Sequence, residues 1–359
     1  IVTGDWSSDV CSSDLSNFRC FKDIKCSLDE MTSVFIGDNA QGKTTILESI
    51  CLLMRLQSPR ASKNTDQIKL GEPNLSVEGM LSGKKIFYAL SKNKKNMQID
   101  SQSFNKRKDY LLETALVVWI GNDDILLLRG GSDLRRRYLD FGASQMNIKY
   151  LTALKTYKRA LRTRNFLLKR DSIPNWNQIA PYTKLLVDSG SIISAQRKLL
   201  IDNLNKYATE FQYAISGSNE KLEIIYKRSG DNDLLESFEK KRSEEIKQRM
   251  TLVGPHRDDI LLNLNEMDAS KYASEGQQRS VALSLKMAQS YVLKEIKNSN
   301  PILLIDDVFG ELDSSRRIKF LSLLPKESQK IITTTNLEWL GNNQLGSYRK
   351  YLIEDGIIN

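Results

Sequence analysis

The apolar positions of this chain change period along its length, and the changes mark out its elements. Residues 31–36 form an apolar, β-rich run and read as a strand. After a polar, glycine-containing stretch, residues 45–55 read as a helix. Residues 74–91 hold two short alternating runs, 75–81 and 85–90, joined by the turn signal Ser82-Gly83, which predicts a β-meander. Residues 115–120 read as a buried strand. From residue 133 to about 211 the spacing is mostly helical, with a break at Ile173-Pro174. Residues 221–227 fit a strand and 234–250 a charged helix. Gly276 opens an amphipathic helix whose apolar positions include Val281, Leu285, Ala288 and Val292. Pro301 starts the run 302–305, which fits a buried parallel strand, and 331–335 reads as the strand that follows. The helical stretch has no sustained heptads and is too short for a long coiled coil.

The polar stretch between the first strand and its helix is Gly37-Asp38-Asn39-Ala40-Gln41-Gly42-Lys43-Thr44, which fits G-x-x-x-x-G-K-[ST]. Gly37 and Gly42 let the backbone turn its N–H groups inward around phosphate oxygens. The helix N-terminus adds partial positive charge. Lys43 can reach terminal phosphates, and the Thr44 hydroxyl can ligate magnesium. The alternative, a chance glycine-rich turn, does not require a strand on one side and a helix on the other. Gly37, Asn39, Gly42, Lys43, Thr44 and Thr45 are the candidate ATP contacts of this loop.

The strand 302–305 ends in Asp306-Asp307. A carboxylate there can reach magnesium, so Asp306 is the candidate metal ligand. Asp307 can polarise an attacking water, with Lys43 as its catalytic companion, although an Asp reaches less far than a Glu. The plainer reading is that both acids cap the next helix.

Ser274-Glu275-Gly276-Gln277-Gln278-Arg279 resembles the signature motif of ATP-binding-cassette ATPases, and 302–307 their Walker B strand. The resemblance implies that Ser274, Gly276 and Gln277 contact the γ-phosphate held by a second copy. By itself, Ser-x-Gly-Gln is also an ordinary helix N-cap. Glu311-Leu312-Asp313 resembles the D-loop, with Asp313 its acid. Transporters of this class carry a His after the next strand, whereas this chain has Thr333-Thr334-Thr335.

Several further segments resemble the RecF family, bacterial DNA replication and repair proteins of the SMC-like ATPase group. They are Ser16-Asn17-Phe18-Arg19-Cys20-Phe21, Gly254-Pro255-His256-Arg257-Asp258-Asp259 and Asp306-Asp307-Val308-Phe309-Gly310-Glu311-Leu312-Asp313. Arg135-Arg136-Arg137-Tyr138-Leu139-Asp140 and Arg164-Asn165-Phe166-Leu167-Leu168-Lys169 resemble the family's helical lobe. His256, the single histidine, reads from its own surroundings as a packed or hydrogen-bonded residue rather than a catalyst.

The resemblance runs from about residue 16 to the end. It implies an α/β fold: an ABC-type ATPase head, built from a phosphate-loop sheet with helices and a β-meander, carrying an inserted helical lobe. The head would comprise 16–118 and 251–359, and the helical lobe 119–250. It implies a weak ATPase that uses ATP and Mg2+ as a conformational switch and forms an ATP-dependent homodimer. It also implies binding to double-stranded DNA, single-strand gaps and single-strand/double-strand junctions, RecR and RecO as partners, help in RecA loading, and a cytoplasmic, nucleoid-associated protein of the DNA-damage response. The competing classes are an SMC-like or transporter-type ABC subunit with another partner, and a P-loop small-molecule kinase. A kinase would have no need of Ser274.

Composition agrees. The 359 residues include 53 Lys and Arg against 44 Asp and Glu, a net charge of +9, which favours a polyanionic partner. Basic clusters stand at Lys84-Lys85, at Lys92, Lys94 and Lys95, at Lys106-Arg107-Lys108, at Arg135-Arg136-Arg137 and at Lys240-Lys241-Arg242. Taken singly, each reads more readily as a solvated face than as a DNA contact. No apolar run approaches a membrane span, and there is no secretion leader. Four cysteines without C-x-x-C spacing fit a reduced, cytoplasmic protein with no zinc site. Residues 1–15 lack an initiating Met and contain the near-repeat Ser7-Ser8-Asp9-Val10-Cys11 and Ser12-Ser13-Asp14-Leu15. They read as a non-native leader with little to bury, which leaves the pairing of the first strand in doubt; the alternative is a genuine polar N-terminal extension.

Overall fold

The computed structural model describes residues 10–28, 31–61, 63–170, 173–231, 233–338, 345–354 and 356–358, with only the backbone described at Cys11. The chain opens with strands β1 (Val10–Phe18), β2 (Phe21–Ser27) and β3 (Thr32–Ile36), then helix α1 (Lys43–Arg55). Next come β4 (Asn74–Leu81), β5 (Lys84–Ser91), β6 (Lys95–Ile99), β7 (Gln102–Ser103), α2 (Arg107–Leu112) and β8 (Val117–Gly121). Helices α3 (Leu126–Arg129), α4 (Ser132–Met146), α5 (Ile148–Arg170) and α6 (Trp176–Ser216) follow. Then come β9 (Leu222–Lys227), α7 (Leu234–Gln248), β10 (Asp259–Leu264), β11 (Met267–Asp268) and α8 (Ala269–Tyr272). The chain closes with α9 (Glu275–Lys297), β12 (Ile302–Asp306), α10 (Ser314–Leu323), β13 (Lys330–Thr334), β14 (Arg349–Glu354) and β15 (Ile357–Ile358).

Two compact units divide these elements. The first holds the described residues up to Asp124, Tyr213–Ser218, and those from Arg279 onward. It contains two six-stranded sheets. One is antiparallel, in the order β2-β1-β4-β5-β6-β7, and so extends the expected meander by two strands on its N-terminal side. The other runs β15-β14-β3-β13-β12-β8, with all pairings from β14 to β8 parallel. Helix α1 packs against strands of both sheets, which explains why nearly every residue from Ile46 to Arg55 is buried. A helix covered on several faces has no need of a polar stripe.

The expectation that the N-terminal residues have little to bury fails from Val10 onward. Residues 1–9 lie outside the described residues, but Val10–Phe18 is an inner strand paired with β2 on one side and β4 on the other. Val10, Ser13 and Leu15 are buried. The Gln329 side chain closes both ends of the Val10 peptide, accepting from its N–H at 2.8 Å and donating to its carbonyl at 2.7 Å. Backbone pairing on both edges makes a strand of this polar sequence, with alternate residues turned inward.

The second unit comprises Ile125–Gln212 and Asn219–Gln278. It is helical except for the sheet β11-β10-β9. Its return boundary falls at 278 rather than 251, because β10 pairs along its whole length with β9. The predicted break at Ile173-Pro174 separates α5 from α6, while α6 carries Pro181 within its own first turns.

The segment Gly254-Pro255-His256-Arg257-Asp258-Asp259 sits in a buried polar network of this unit. Tyr157 Oη lies 2.6 Å from His256 Nδ1, and His256 Nε2 lies 3.1 Å from the Thr251 carbonyl. The carbonyl can only accept, so Nε2 carries the proton and Nδ1 accepts from Tyr157. Burial pushes the imidazole down to about 4. Arg164 pairs with Glu245 at 2.6 Å, both fully buried, and donates to Thr251 Oγ1 at 2.8 Å. Arg197 joins Asp140 at 2.7 Å and donates to the Pro255 carbonyl. His256 is thus a partly buried, hydrogen-bonded residue.

Candidate nucleotide site

The parallel sheet of the first unit builds the site by its strand order. Strand β13 lies between β3 and β12 and is in register with both: Thr333 faces Phe35 on one side and Asp306 on the other. Asp306 in turn is level with Gly121 of β8. The carboxyl ends of four strands therefore line up, the position where open α/β sheets bind ligands.

The loop leaving β3 is tightly confined. A Cβ on Gly37 would fall 2.4 Å from the Ile353 carbonyl oxygen. Gly42 has φ +97°, and a Cβ there would fall 2.4 Å from the Phe21 ring. Both positions exclude a side chain, and Gly42 also needs the left-handed region. Gly42 starts α1 without a side-chain cap, so the first N–H groups of the helix point into the loop. The buried Lys43 ammonium donates to the Gly37 carbonyl at 2.6 Å and the Asp38 carbonyl at 2.8 Å, bridging the mouth of the loop. Burial lowers its pKa, opposed by the charges of Asp307 and Asp306.

Asp306 Oδ1 accepts from two hydroxyls, Thr44 Oγ1 at 2.7 Å and Thr333 Oγ1 at 2.8 Å. Burial raises the Asp306 pKa, and these two hydrogen bonds pull it back. Thr44 and Asp306 together offer the hard oxygen donors that magnesium takes, one carboxylate and one hydroxyl, with the remaining positions left to water and phosphate. Asp307 stands beside them with φ +50°, a strained conformation for a non-glycine residue. Its N–H donates to both the carbonyl and the hydroxyl of Thr333, each at 3.1 Å, and its carbonyl accepts from Asn122 Nδ2 at 2.8 Å. Burial raises its pKa too, and Lys43 opposes the rise. Neither acid caps α10; Asp313 does, accepting from the Arg316 N–H at 2.9 Å.

Comparison with known proteins bears on this arrangement. The family model described as AAA ATPase domain matches residues 10–247. The DNA replication and repair protein RecF of Lactobacillus johnsonii is 33% identical over 96% of this chain and 97% of its own. That of Streptococcus gordonii is 36% identical over 91% of this chain and 94% of its own. The chain belongs to the RecF family. It is an ATPase of that family of DNA replication and repair proteins. A solved structure of the recombination mediator protein RecF-ATP in the RecFOR pathway superposes with a TM-score of 0.88 at 29% identity, covering 100% of this chain and 99% of that one. An Smc head bound to the C-winged helix domain of ScpA, 13% identical with a TM-score of 0.55 over 98% and 96% of the two chains, shares the fold alone.

In this RecF-family chain the first unit brings Gly37, Lys43, Thr44, Asp306 and Asp307 together. Asn39 lies exposed on the loop, and Thr45 sits one residue further along α1, with its hydroxyl 3.8 Å from Cys20 Sγ. Asp313 is exposed at the start of α10. Ser274, Gly276 and Gln277 belong to the helical unit. Ser274 and Gln277 form a reciprocal cap: the Ser274 N–H donates to Gln277 Oε1 at 2.8 Å, and the Gln277 N–H to Ser274 Oγ at 3.3 Å. The ordinary N-cap is therefore present, and the exposed Ser274 hydroxyl is held at the helix start.

Two residues were overlooked as site members, Thr333 and Asn122. Thr333 ends a strand, and its role follows only from β13 lying between β3 and β12. Its signal was the hydroxyl-bearing run that stands where transporters keep a His. Arg19 is a third supporting residue. It grips Glu48 of α1 through two bonds of 2.8 and 3.0 Å and so ties the β1–β2 turn to the helix that carries Lys43.

Proposed function

We propose that this RecF-family ATPase binds ATP with magnesium at the β3–α1 loop and dimerises in that state. The dimer engages DNA at single-strand gaps and single-strand/double-strand junctions, then releases it on slow hydrolysis. In this reading it works with RecR and RecO to help RecA loading. The observation that carries the proposal is the Thr44–Asp306–Thr333 cluster beside Lys43. A hydroxyl at the loop's end, a carboxylate from β12 and a buried ammonium lie together at the carboxyl ends of the strands, as phosphoryl transfer from a nucleotide requires. The related structure of RecF-ATP supports the choice of nucleotide, and that protein's place in the RecFOR pathway supports the choice of partners.

Lys43 would meet the terminal phosphates, and Thr44 and Asp306 would hold the metal, which would supply charge neutralisation on the phosphates. Asp307 orients the water, its backbone fixed by Thr333 and Asn122. Ser274, Gly276 and Gln277 present the start of α9 to the nucleotide of the second copy. Asp313 lies on the segment that crosses to that copy.

Mixing variants tests the shared site. Ser274→Arg and Lys43→Ala chains are each expected to be inactive. Their heterodimer holds one site with both lesions and one with neither, so part of the turnover should return. Sedimentation with and without ATP and a gapped duplex would verify the heterodimer and its bound nucleotide. No recovery of turnover in verified, nucleotide-loaded heterodimers would overturn the composite site.

A further inference from the structure

We propose that the exposed face of α5 is a contact surface for single-stranded DNA, with Lys155, Arg159 and Arg162 on backbone phosphates and Phe166 stacked on a base. This rests on the DNA reading above and gives it a location within the helical unit.

Helix α5 contains eight Lys and Arg and no Asp or Glu. One of the eight, Arg164, points inward to Glu245. Lys155, Arg159, Arg162, Phe166 and Lys169 are all exposed and follow one another at intervals of four, three, four and three residues. That spacing puts them on one face, in a line of roughly 21 Å at about 1.5 Å per residue. Among the described residues no carboxylate pairs with Lys155, Arg159 or Arg162.

A merely solvated helix face interleaves acids with bases, since like charges four apart repel. This face keeps such a pair in Lys155 and Arg159, while the flanking Lys158 reaches the Asp140 carboxylate at 3.5 Å. Three of the basic runs that stand out in the sequence behave differently. Lys84 pairs with Glu113, Lys85 with Glu78, Lys240 with Asp231 and Glu236, Lys241 with Glu244, and Arg135 with Asp259. Lys92, Lys94, Lys95, Lys106 and Lys108 also lack a carboxylate partner among the described residues, so what sets α5 apart is the alignment of such charges on one helical face, which suits a polyanion.

Phe166 selects the kind of polyanion. It is 61% exposed between Arg162 and Lys169 of the cationic line. Against a duplex its ring would meet sugars and phosphates, because the bases are stacked inside. Against a single strand it finds an open base face, and cations with an interleaved aromatic are the usual means of sequence-tolerant single-strand binding.

The test uses the full chain with ATP and measures fluorescence anisotropy on oligo(dT), a duplex of equal length and oligo(U) across a range of salt. Each lost phosphate contact on a single strand should flatten the log–log salt dependence by about 0.7. The triple variant Lys155→Gln/Arg159→Gln/Arg162→Gln is expected to flatten it by about 2 on oligo(dT), while melting no earlier than the wild type. Phe166→Ala should weaken oligo(dT) binding about tenfold, leaving its salt slope and duplex affinity unchanged. An unchanged slope in the triple variant, an unchanged oligo(dT) affinity in Phe166→Ala, or an equal loss on duplex would overturn the assignment. So would a wild type that prefers oligo(U). A wild type that binds no DNA at all would remove the underlying DNA reading instead, before any variant is compared.

Discussion

Thr333→Val isolates the step that the strand order makes possible. The change keeps the shape of the side chain and removes one hydroxyl. That hydroxyl donates to Asp306 Oδ1 at 2.8 Å and accepts from the Asp307 N–H at 3.1 Å. Asp307 keeps its bond to the Thr333 carbonyl, so the main loss is one hydrogen bond to a carboxylate. Such a bond contributes about 2 kcal/mol, which corresponds to about thirtyfold. We expect kcat/KM for ATP to fall by that order in a phosphate-release assay, and Thr333→Ser to recover most of it. The pH profile gives a second readout. Thr333 helps to hold the Asp306 pKa down against burial, so its loss lets that pKa rise. Activity needs the carboxylate form, and the acid limb of the kcat/KM profile should therefore move to higher pH in Thr333→Val. Wild-type kcat/KM together with an unshifted acid limb would refute the idea that β13 orients Asp306.

Three further outcomes follow from the same structure. Asp307→Asn should lower turnover at least a hundredfold while ATP affinity, followed by calorimetry, stays within a few fold, since Lys43, Thr44 and Asp306 are untouched. Truncation through Asp14 should lower the melting temperature of the first unit by several degrees, because it removes buried Val10 and Ser13 and unpairs half of an inner strand; a melt unchanged within a degree would contradict the pairing. His256 is held neutral with its pKa near 4 against about 6.5 when unfolded, so the unfolded chain binds the extra proton between those values, and stability is lost as pH falls from 6.5 toward 4. That loss reaches about 2 kcal/mol by pH 5 and should be missing in His256→Gln when hydrogen exchange of the helical unit is compared at pH 7.5 and 5.

What the sequence reveals here depends on how local the cause is. The loop from Gly37 to Thr44 was legible because its chemistry, its strand and its helix are adjacent in the chain. Thr333 was not, because its position between Asp306 and the loop is a product of sheet order, which joins residues far apart in sequence. Strand β1 was misjudged for a related reason. Val10-Cys11-Ser12-Ser13-Asp14-Leu15 is polar by composition, and only β2, β4 and Gln329, supplied from elsewhere in the chain, make it an inner strand. Charge shows the reverse effect. Adjacent lysines are conspicuous in sequence, yet neighbours in a strand or helix point apart, and acids from other elements meet many of them. Cations spaced three and four apart draw no attention as a run, but a helix gathers them onto one side. Along α5 that geometry turns scattered charges into one face with an exposed aromatic ring among them, so the helical period, rather than the density of lysines, is the pattern to follow in search of a nucleic-acid surface in such a chain.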